Sequence, residues 1–146
     1  MSATIDPADE VTYRLSLARE HLEAALKRLR IKDWPGVVQA AQLVAENAAK
    51  AVVAHAAVPS WSHDPSSELV AITSSLPIKL RRKARLLASM ARRLAPEHGR
   101  STYGMADRRV TPSMIYGEAE AKYALKEARR ALRLAEAILA GLGYAT

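Results

Sequence analysis

The fold is decided by residues 33–53, which read DWPGVVQAAQLVAENAAKAVV. Apolar residues recur there at helical spacing, at Val37, Ala41, Val44, Ala48 and Val52. A second face of the same helix carries a polar row, formed by Gln39, Gln42, Glu46 and Lys50. Because the remaining positions are also mostly apolar, we expect this helix to be the central one of the protein.

Prolines mark the helices on both sides of this segment. Asp6 followed by Pro7 is typical of an N-cap and a first helical position, and the apolar spacing behind them predicts a helix to about Arg30. After the central helix, a loop leads to a short helix over about residues 65–74, and Pro77 opens a fourth helix.

The remainder of the chain is less regular. Residues 96–117 show no clear period, and a loop of this length in a small domain is typically functional or partly disordered. The last helix begins near Thr111 or, if Gly117 interrupts it, at Glu118. Gly141 and the glycine that soon follows it end this helix.

Composition supports a helical fold. The 146-residue chain is rich in Ala, has no Phe, and is long enough for one modest core but not for two. Strand signals are absent. We therefore predict a single all-α domain over residues 1–146, an up-and-down four-helix bundle with an additional short helix.

The charge is unevenly distributed. The net charge of the chain is +7, but residues 1–73 hold 7 basic and 9 acidic residues, whereas residues 74–146 hold 15 basic and 6 acidic. A strongly basic half indicates an anionic partner rather than any particular fold.

Several classes of protein are excluded. The longest stretch without a formal charge, residues 51–63, is too short for a membrane span of about 20 residues, and the acidic N-terminal region is unlike a secretory signal. We therefore expect a cytoplasmic protein. The chain has no Cys, no phosphate-binding glycine loop and no His spacing typical of a metal site, so we predict neither a metal nor a cofactor.

Residues 33–51 and the segments after them resemble the HEPN domain family (higher eukaryotes and prokaryotes nucleotide-binding domain), in its small stand-alone prokaryotic and archaeal form. The distinctive shared residues are Glu46 and Lys50 in the central helix, followed by His63 and Asp64 in the next loop. The later sequence RSTY, residues 100–103, is similar to an S-R-Y loop of that family, with the Arg displaced.

This resemblance implies a frequently dimeric helical bundle associated with nucleotides or RNA. Some members are metal-independent ribonucleases of toxin–antitoxin and antiviral systems. Others are inactive binding or assembly modules, often partnered with a small nucleotidyltransferase.

The resemblance also implies a candidate catalytic pair, because active ribonucleases of the family carry an Arg followed, after four to six residues, by a His. Arg93 and Arg92 both precede His98 at such a spacing, as Arg14 precedes His21. In this chemistry the His acts as general acid or base and the Arg stabilises the phosphorane charge. A Leu follows Arg93, where the family commonly has Asn, and the alternative for Arg92, Arg93 and His98 is a solvated helix end.

The four distinctive family residues have structural alternatives as well. Asp64 is placed to cap the short helix, with His63 packed against the central helix near Trp61. Glu46 and Lys50 stand four residues apart, which favours an intrahelical ion pair. In the functional alternative they line a cleft together with His63.

Basic faces on two helices are candidate phosphate-binding surfaces. Their residues are Lys79, Arg82 and Arg85 on the fourth helix, with Lys122, Lys126, Arg129 and Arg133 on the last. Arg100 and Tyr103 are further candidates between them, and Tyr103, Tyr116 and Trp61 either stack bases or serve as buried anchors and dimer contacts.

The function predicted from the sequence is binding of a nucleotide or RNA by a non-catalytic, homodimeric module that works with a nucleotidyltransferase or antitoxin partner. Two alternatives remain open: a metal-independent endoribonuclease that uses His98 with Arg92 or Arg93, and a purely structural dimerisation domain.

Overall fold

The computed structural model describes residues 6–146, so the first five residues of the predicted domain lie outside it. The all-α class is confirmed: within the described residues the only extended pairing is a single bridge between Met105 and Val110. The helices are α1 (Pro7–Arg30), α2 (Trp34–Ala54), α3 (Ser66–Ile72), α4 (Ile78–Leu94), α5 (Glu97–Tyr103), α6 (Pro112–Ile115) and α7 (Glu118–Gly141).

The two N-terminal helices begin at aspartates. The side chain of Asp6 accepts a hydrogen bond from the backbone N–H of Ala8 at 2.9 Å, and Asp33 accepts one from Gly36 at 3.0 Å. A Cβ on Gly36 would overlap the Asp33 carboxylate, so this turn requires glycine. In each case the cap satisfies an N–H group that has no partner within the helix.

Helix α2 lies at the centre of the fold, as its apolar pattern predicts. It contacts each of the other six helices, and it packs most extensively against α1 and α7. The predicted stripe is fully buried, with Ala41, Val44 and Ala48 among the residues of zero exposure. Although α2 is mostly apolar, neither it nor any other helix within residues 6–146 is long and apolar enough to cross a membrane.

The segment between α4 and α7 differs from the prediction. Residues 96–117, expected to form a long loop, contain α5, a 3-10 turn over Ala106–Arg108, and α6. The fold therefore has three short helices where the sequence indicated one. Helices of seven and four residues are too short to show a recognisable hydrophobic period, which explains why the pattern missed them.

A glycine turn separates these short helices. Gly104 ends α5 with a positive φ of 70° and lies directly against the backbone of Val110. Only glycine adopts this conformation at low cost, and a Cβ would overlap the Val110 carbonyl. The helix that this turn ends, α5, packs against α2 and carries His98.

Candidate functional site

The polar row of α2 is buried in the middle of the protein. Lys50 Nζ lies 3.2 Å from Glu46 Oε2, and the side chains of these two residues are only 4% and 7% exposed. Gln42 donates from Nε2 to Glu46 Oε1 at 3.1 Å. A buried ion pair is costly to desolvate unless further hydrogen bonds satisfy it, and here Gln42, one turn before Glu46, supplies one.

His63 extends this row to the loop between α2 and α3. Its Nδ1 lies 3.0 Å from Glu46 Oε1, and because a carboxylate oxygen only accepts, Nδ1 carries the hydrogen and donates it. The Asp64 carboxylate accepts from the backbone N–H of Ser66 at 3.0 Å, which fixes the start of α3. Trp61 is 96% exposed, so within this chain it is not a buried anchor.

His98 reaches the same place from α5. Its Nδ1 lies 3.0 Å from Gln42 Oε1, and its ring stacks on that of His63 with 3.6 Å between centroids and 17° between planes. Gln42 Nε2 donates to both Glu46 and the backbone carbonyl of His63, so its oxygen faces His98 and accepts the Nδ1 hydrogen. We call His63 and His98 the histidine pair; their Nδ1 atoms are both held, which leaves both Nε2 atoms for a ligand.

Gln42 is the residue that sequence reasoning missed. The sequence places it in the polar row of α2 but not among the candidate site residues, although it contacts Glu46, His63 and His98. The signal that could have found it is its spacing of four residues from Glu46, which puts the two side chains on one face of the helix.

The surroundings of the cluster lower the pKa values of both His98 and Glu46, for different reasons. Burial, followed by the neighbouring His63, lowers the pKa of His98 below the usual value for histidine. Burial alone would raise the pKa of Glu46, but hydrogen bonds from Gln42 and the charge of Lys50 lower it below its ordinary value. At neutral pH Glu46 is therefore a carboxylate, consistent with its role as an acceptor.

The predicted catalytic arginines have other contacts in the structure. Arg93 donates to Glu127 of α7 at 3.1 Å, and Arg92 is exposed on α4. Within residues 6–146, no hydrogen bond or ion pair joins either arginine to His98. Helix α4 ends at Leu94 and α5 begins three residues later, and this break directs His98 toward α2.

The second Arg–His spacing also has a structural explanation. Arg14 donates from Nε to Glu10 at 3.0 Å and from its guanidinium to Asn47 of α2 at 3.2 Å. His21 is half-buried, and burial lowers its pKa against the opposing charges of Glu20 and Glu46. The contacts of Arg14 tie α1 to α2.

The basic faces are exposed, and they occupy α4 and α7, which pack against each other. On α4 the exposed residues are Lys79, Arg82 and Arg85, and on α7 they are Lys122, Lys126, Arg129 and Arg133. Lys122 pairs with Glu118 at 2.7 Å, whereas the other six form no ion pair among the residues that the structure describes.

The aromatic candidates divide into exposed and buried residues. Tyr103 at the end of α5 is 77% exposed, while Tyr116 is buried and donates its hydroxyl hydrogen to Glu97. Burial and this carboxylate raise the pKa of Tyr116. Arg100 is exposed, and its Nη1 lies 3.8 Å from Glu97 Oε1. Tyr116 therefore serves as a buried anchor, whereas Tyr103 is accessible to a ligand.

A cavity of about 450 Å³ lies between α4, α5 and α7. Its charged lining residues are Arg93, Glu97, Glu120 and Glu127, and its walls include Leu94 and Tyr123. The charged groups bond mainly to one another or to Tyr116. The histidine pair is not part of its lining, so the cavity and the pair are separate features.

Comparison with known proteins agrees with the fold. The sequence model described as the HEPN domain matches residues 11–140. The crystal structure of TT1696 from Thermus thermophilus matches with a TM-score of 0.68 and 24% sequence identity, over 87% of this chain and 96% of that one. At this identity the likeness shows a shared fold. Among curated proteins, no significant match was found.

Proposed function

This chain belongs to the HEPN domain family, and from that premise we propose that it binds RNA or a nucleotide through the histidine pair. It acts as a non-catalytic, homodimeric module that works with a nucleotidyltransferase or antitoxin partner. One observation carries the proposal. The imidazole rings of His63 and His98 come from separate elements, stack on each other, and bond to the buried polar row of α2.

The histidine pair is fixed in advance for binding. Glu46 and Gln42 hold the two Nδ1 atoms at 3.0 Å each, so neither ring has to be oriented when a ligand arrives. Each Nε2 accepts a hydrogen bond from a ribose hydroxyl or a base N–H, and when protonated it donates to a phosphate oxygen. A small polar ligand group is therefore the kind of partner that this pair recognises.

Exposed aromatic side chains flank the pair in sequence. Trp61, 96% exposed, precedes His63 in the same loop, and Tyr103, 77% exposed, follows His98 on α5. Single-stranded RNA presents unstacked bases that such rings bind by stacking. These positions support RNA as the ligand.

The basic faces of α4 and α7 attract RNA at long range, whereas the histidine pair recognises a ligand group. Their side chains extend into solvent from α4 and α7, and a positive surface of this kind raises the association rate of a polyanion. Binding to phosphates releases counterions, so the affinity falls as the salt concentration rises.

The test is a fluorescence-anisotropy titration of a short labelled single-stranded RNA. The double variant His63→Ala/His98→Ala should bind about tenfold or more weakly, because it loses two hydrogen-bonding groups. The control is His55→Ala, since His55 lies at the end of α2, where it bonds to Tyr144.

Three results would contradict the proposal. Equal affinity of the double variant and the wild-type protein would remove the histidine pair as the site. An affinity that does not change between about 50 and 200 mM salt would remove the electrostatic contribution. A stable dimer that binds neither RNA nor nucleotide would instead identify a structural dimerisation domain.

A metal-independent endoribonuclease is the second candidate, favoured by the bond between His98 Nδ1 and Gln42. That bond leaves a lone pair on Nε2 of the neutral ring, which can take the proton from a 2′-hydroxyl as the oxygen attacks the adjacent phosphorus. The bond from phosphorus to the 5′-oxygen breaks and that oxygen takes a proton from water, giving a 2′,3′-cyclic phosphate and a 5′-hydroxyl. Since Arg93 is bonded to Glu127, an arginine of a second copy would stabilise the phosphorane.

Incubation of labelled RNA with the protein in EDTA separates the two candidates. Cleavage that disappears in His98→Ala would establish the ribonuclease and overturn the non-catalytic module. RNA that stays intact while bound would eliminate the ribonuclease. Cleavage that persists in His98→Ala would remove His98 from the chemistry.

A further inference from the structure

The histidine pair and Glu46 together place three side chains of metal-ligating types close to one another. One donor atom each from Glu46, His63 and His98 lies within 4.8 Å of the other two. We propose that these three residues bind one divalent transition-metal ion of borderline softness, for which Zn²⁺ is the probe. The sequence indicated no metal, because the donors come from α2, a loop and α5 and have no local spacing.

The donor set is typical of zinc. Two imidazole nitrogens and one carboxylate oxygen are the protein ligands of many open tetrahedral zinc sites, in which water takes the fourth position. With bonds of about 2.0 Å, neighbouring donors in a tetrahedral site lie about 3.3 Å apart. Glu46 Oε1 and His63 Nδ1 are 3.0 Å apart, so this edge of the site is nearly formed.

The ion would take the place of a hydrogen. The Nδ1 hydrogen of His63 now lies between that nitrogen and Glu46 Oε1. Metal binding requires Nδ1 without its hydrogen, so this proton leaves Nδ1 for solvent, Nε2 takes up one from solvent, and the ring stays neutral as the other tautomer. The carboxylate then has the ion as its partner in place of the imidazole N–H.

The surrounding hydrogen bonds match those around bound metals. Metal-ligating histidines donate their other N–H to an oxygen acceptor, and His98 donates Nδ1–H to Gln42 Oε1, which leaves Nε2 for the ion. Gln42 Nε2 also orients Glu46, and Lys50 bonds to Oε2 of the same carboxylate. The carboxylate is thereby fixed with Oε1 toward the two histidines.

One rearrangement is required. The two rings stack at 17°, and a single ion cannot lie in both planes while they are nearly parallel. His63 is the ring that tilts when the ion binds, because the ion replaces the hydrogen bond that holds it to Glu46 and its side chain is 54% exposed. The buried carboxylate and the bonded His98 stay in place.

Isothermal titration of Zn²⁺ into the full chain, without an affinity tag, tests the proposal. The expected result is one ion bound per chain, with affinity reduced about tenfold or more in both His63→Ala and His98→Ala. His55→Ala is the matched control, because His55 bonds to Tyr144 and has no contact with the cluster, and it should bind as the wild-type protein does.

Absence of saturable Zn²⁺ binding would overturn the proposal, as would binding that both site variants retain. Thermal melting of each variant without metal checks that it is folded. Because His63 is exposed, His63→Ala is expected to fold. The test therefore does not depend on a variant of the buried Glu46. The titration contains no RNA, so its result is independent of whether the proposed RNA binding fails.

Discussion

Two Glu–Lys ion pairs in this protein have the same spacing of four residues but differ in how far their side chains are buried. Glu46 and Lys50 in α2 lie 3.2 Å apart with side chains 7% and 4% exposed, respectively. Glu118 and Lys122 in α7 lie 2.7 Å apart with side chains 59% and 61% exposed, respectively. Sequence spacing determines that each pair forms, but burial determines what the pair does.

The same contrast separates the two candidate surfaces. The polar row of α2 is linked by hydrogen bonds to the loop before α3 and to α5, which holds the histidine pair in one arrangement. The basic faces of α4 and α7 extend into solvent with few bonds to neighbouring side chains. A fixed polar cluster is suited to recognising a ligand group, whereas exposed charge is suited to long-range attraction.

The largest effect is expected from breaking the buried pair. Glu46→Leu leaves the Lys50 ammonium buried without its carboxylate, which should lower the free energy of unfolding by about 3–5 kcal/mol in a urea titration. In the matched exposed pair, Glu118→Gln should cause no measurable change, because water replaces the lost partner.

A double variant tests whether the unpaired buried charge of Lys50 causes this loss of stability. Glu46→Leu/Lys50→Met replaces both charges with apolar groups and should recover most of the lost stability. If Glu46→Leu is as stable as the wild-type protein, the pair is not buried as described, and the comparison between the two pairs fails.

The sequence predicts the long helices well and the site only in part. Proline positions and apolar stripes indicate α1, α2, α4 and α7, because each is long enough for several turns of helical period. The polar row in α2 is visible for the same reason. The stacking of His63 on His98 joins residues that are distant in the chain, and no local pattern records such a contact.

His98 has a side-chain partner that the sequence did not predict. The Arg–His spacing relates His98 to Arg92 or Arg93, which remains a prediction, whereas in the structure His98 Nδ1 bonds to Gln42. The seven-residue helix α5 shows no hydrophobic period of its own, and its packing against α2 joins segments distant in the sequence, which periodicity does not reveal.

A smaller effect, on binding alone, is expected at Trp61. Removal of a stacking ring by Trp61→Ala should cost about 1–3 kcal/mol of RNA affinity, measured by fluorescence anisotropy. The melting temperature should not change, since the side chain is 96% exposed. Ile78→Ala at the start of α4, 81% exposed, is the control; an equal loss of affinity there would refute a specific role for Trp61.

The smallest effect is expected at the basic faces. Two double variants, Arg82→Ala/Arg85→Ala on α4 and Lys126→Ala/Arg129→Ala on α7, should weaken RNA binding modestly at low salt. For single-stranded RNA, each lost phosphate contact reduces the slope of log affinity against log salt by about 0.7. An unchanged slope in both variants would show that these faces are ordinary solvated surface.

Histidine side-chain NMR distinguishes the two surfaces in a single titration. The chain has four histidines, and only His63 and His98 belong to the cluster. On addition of a short single-stranded RNA, we expect the ring signals of His63 and His98 to shift together and to saturate, while those of His21 and His55 stay in place. Saturable binding with all four histidine signals unmoved would contradict the assignment of the histidine pair as the ligand site.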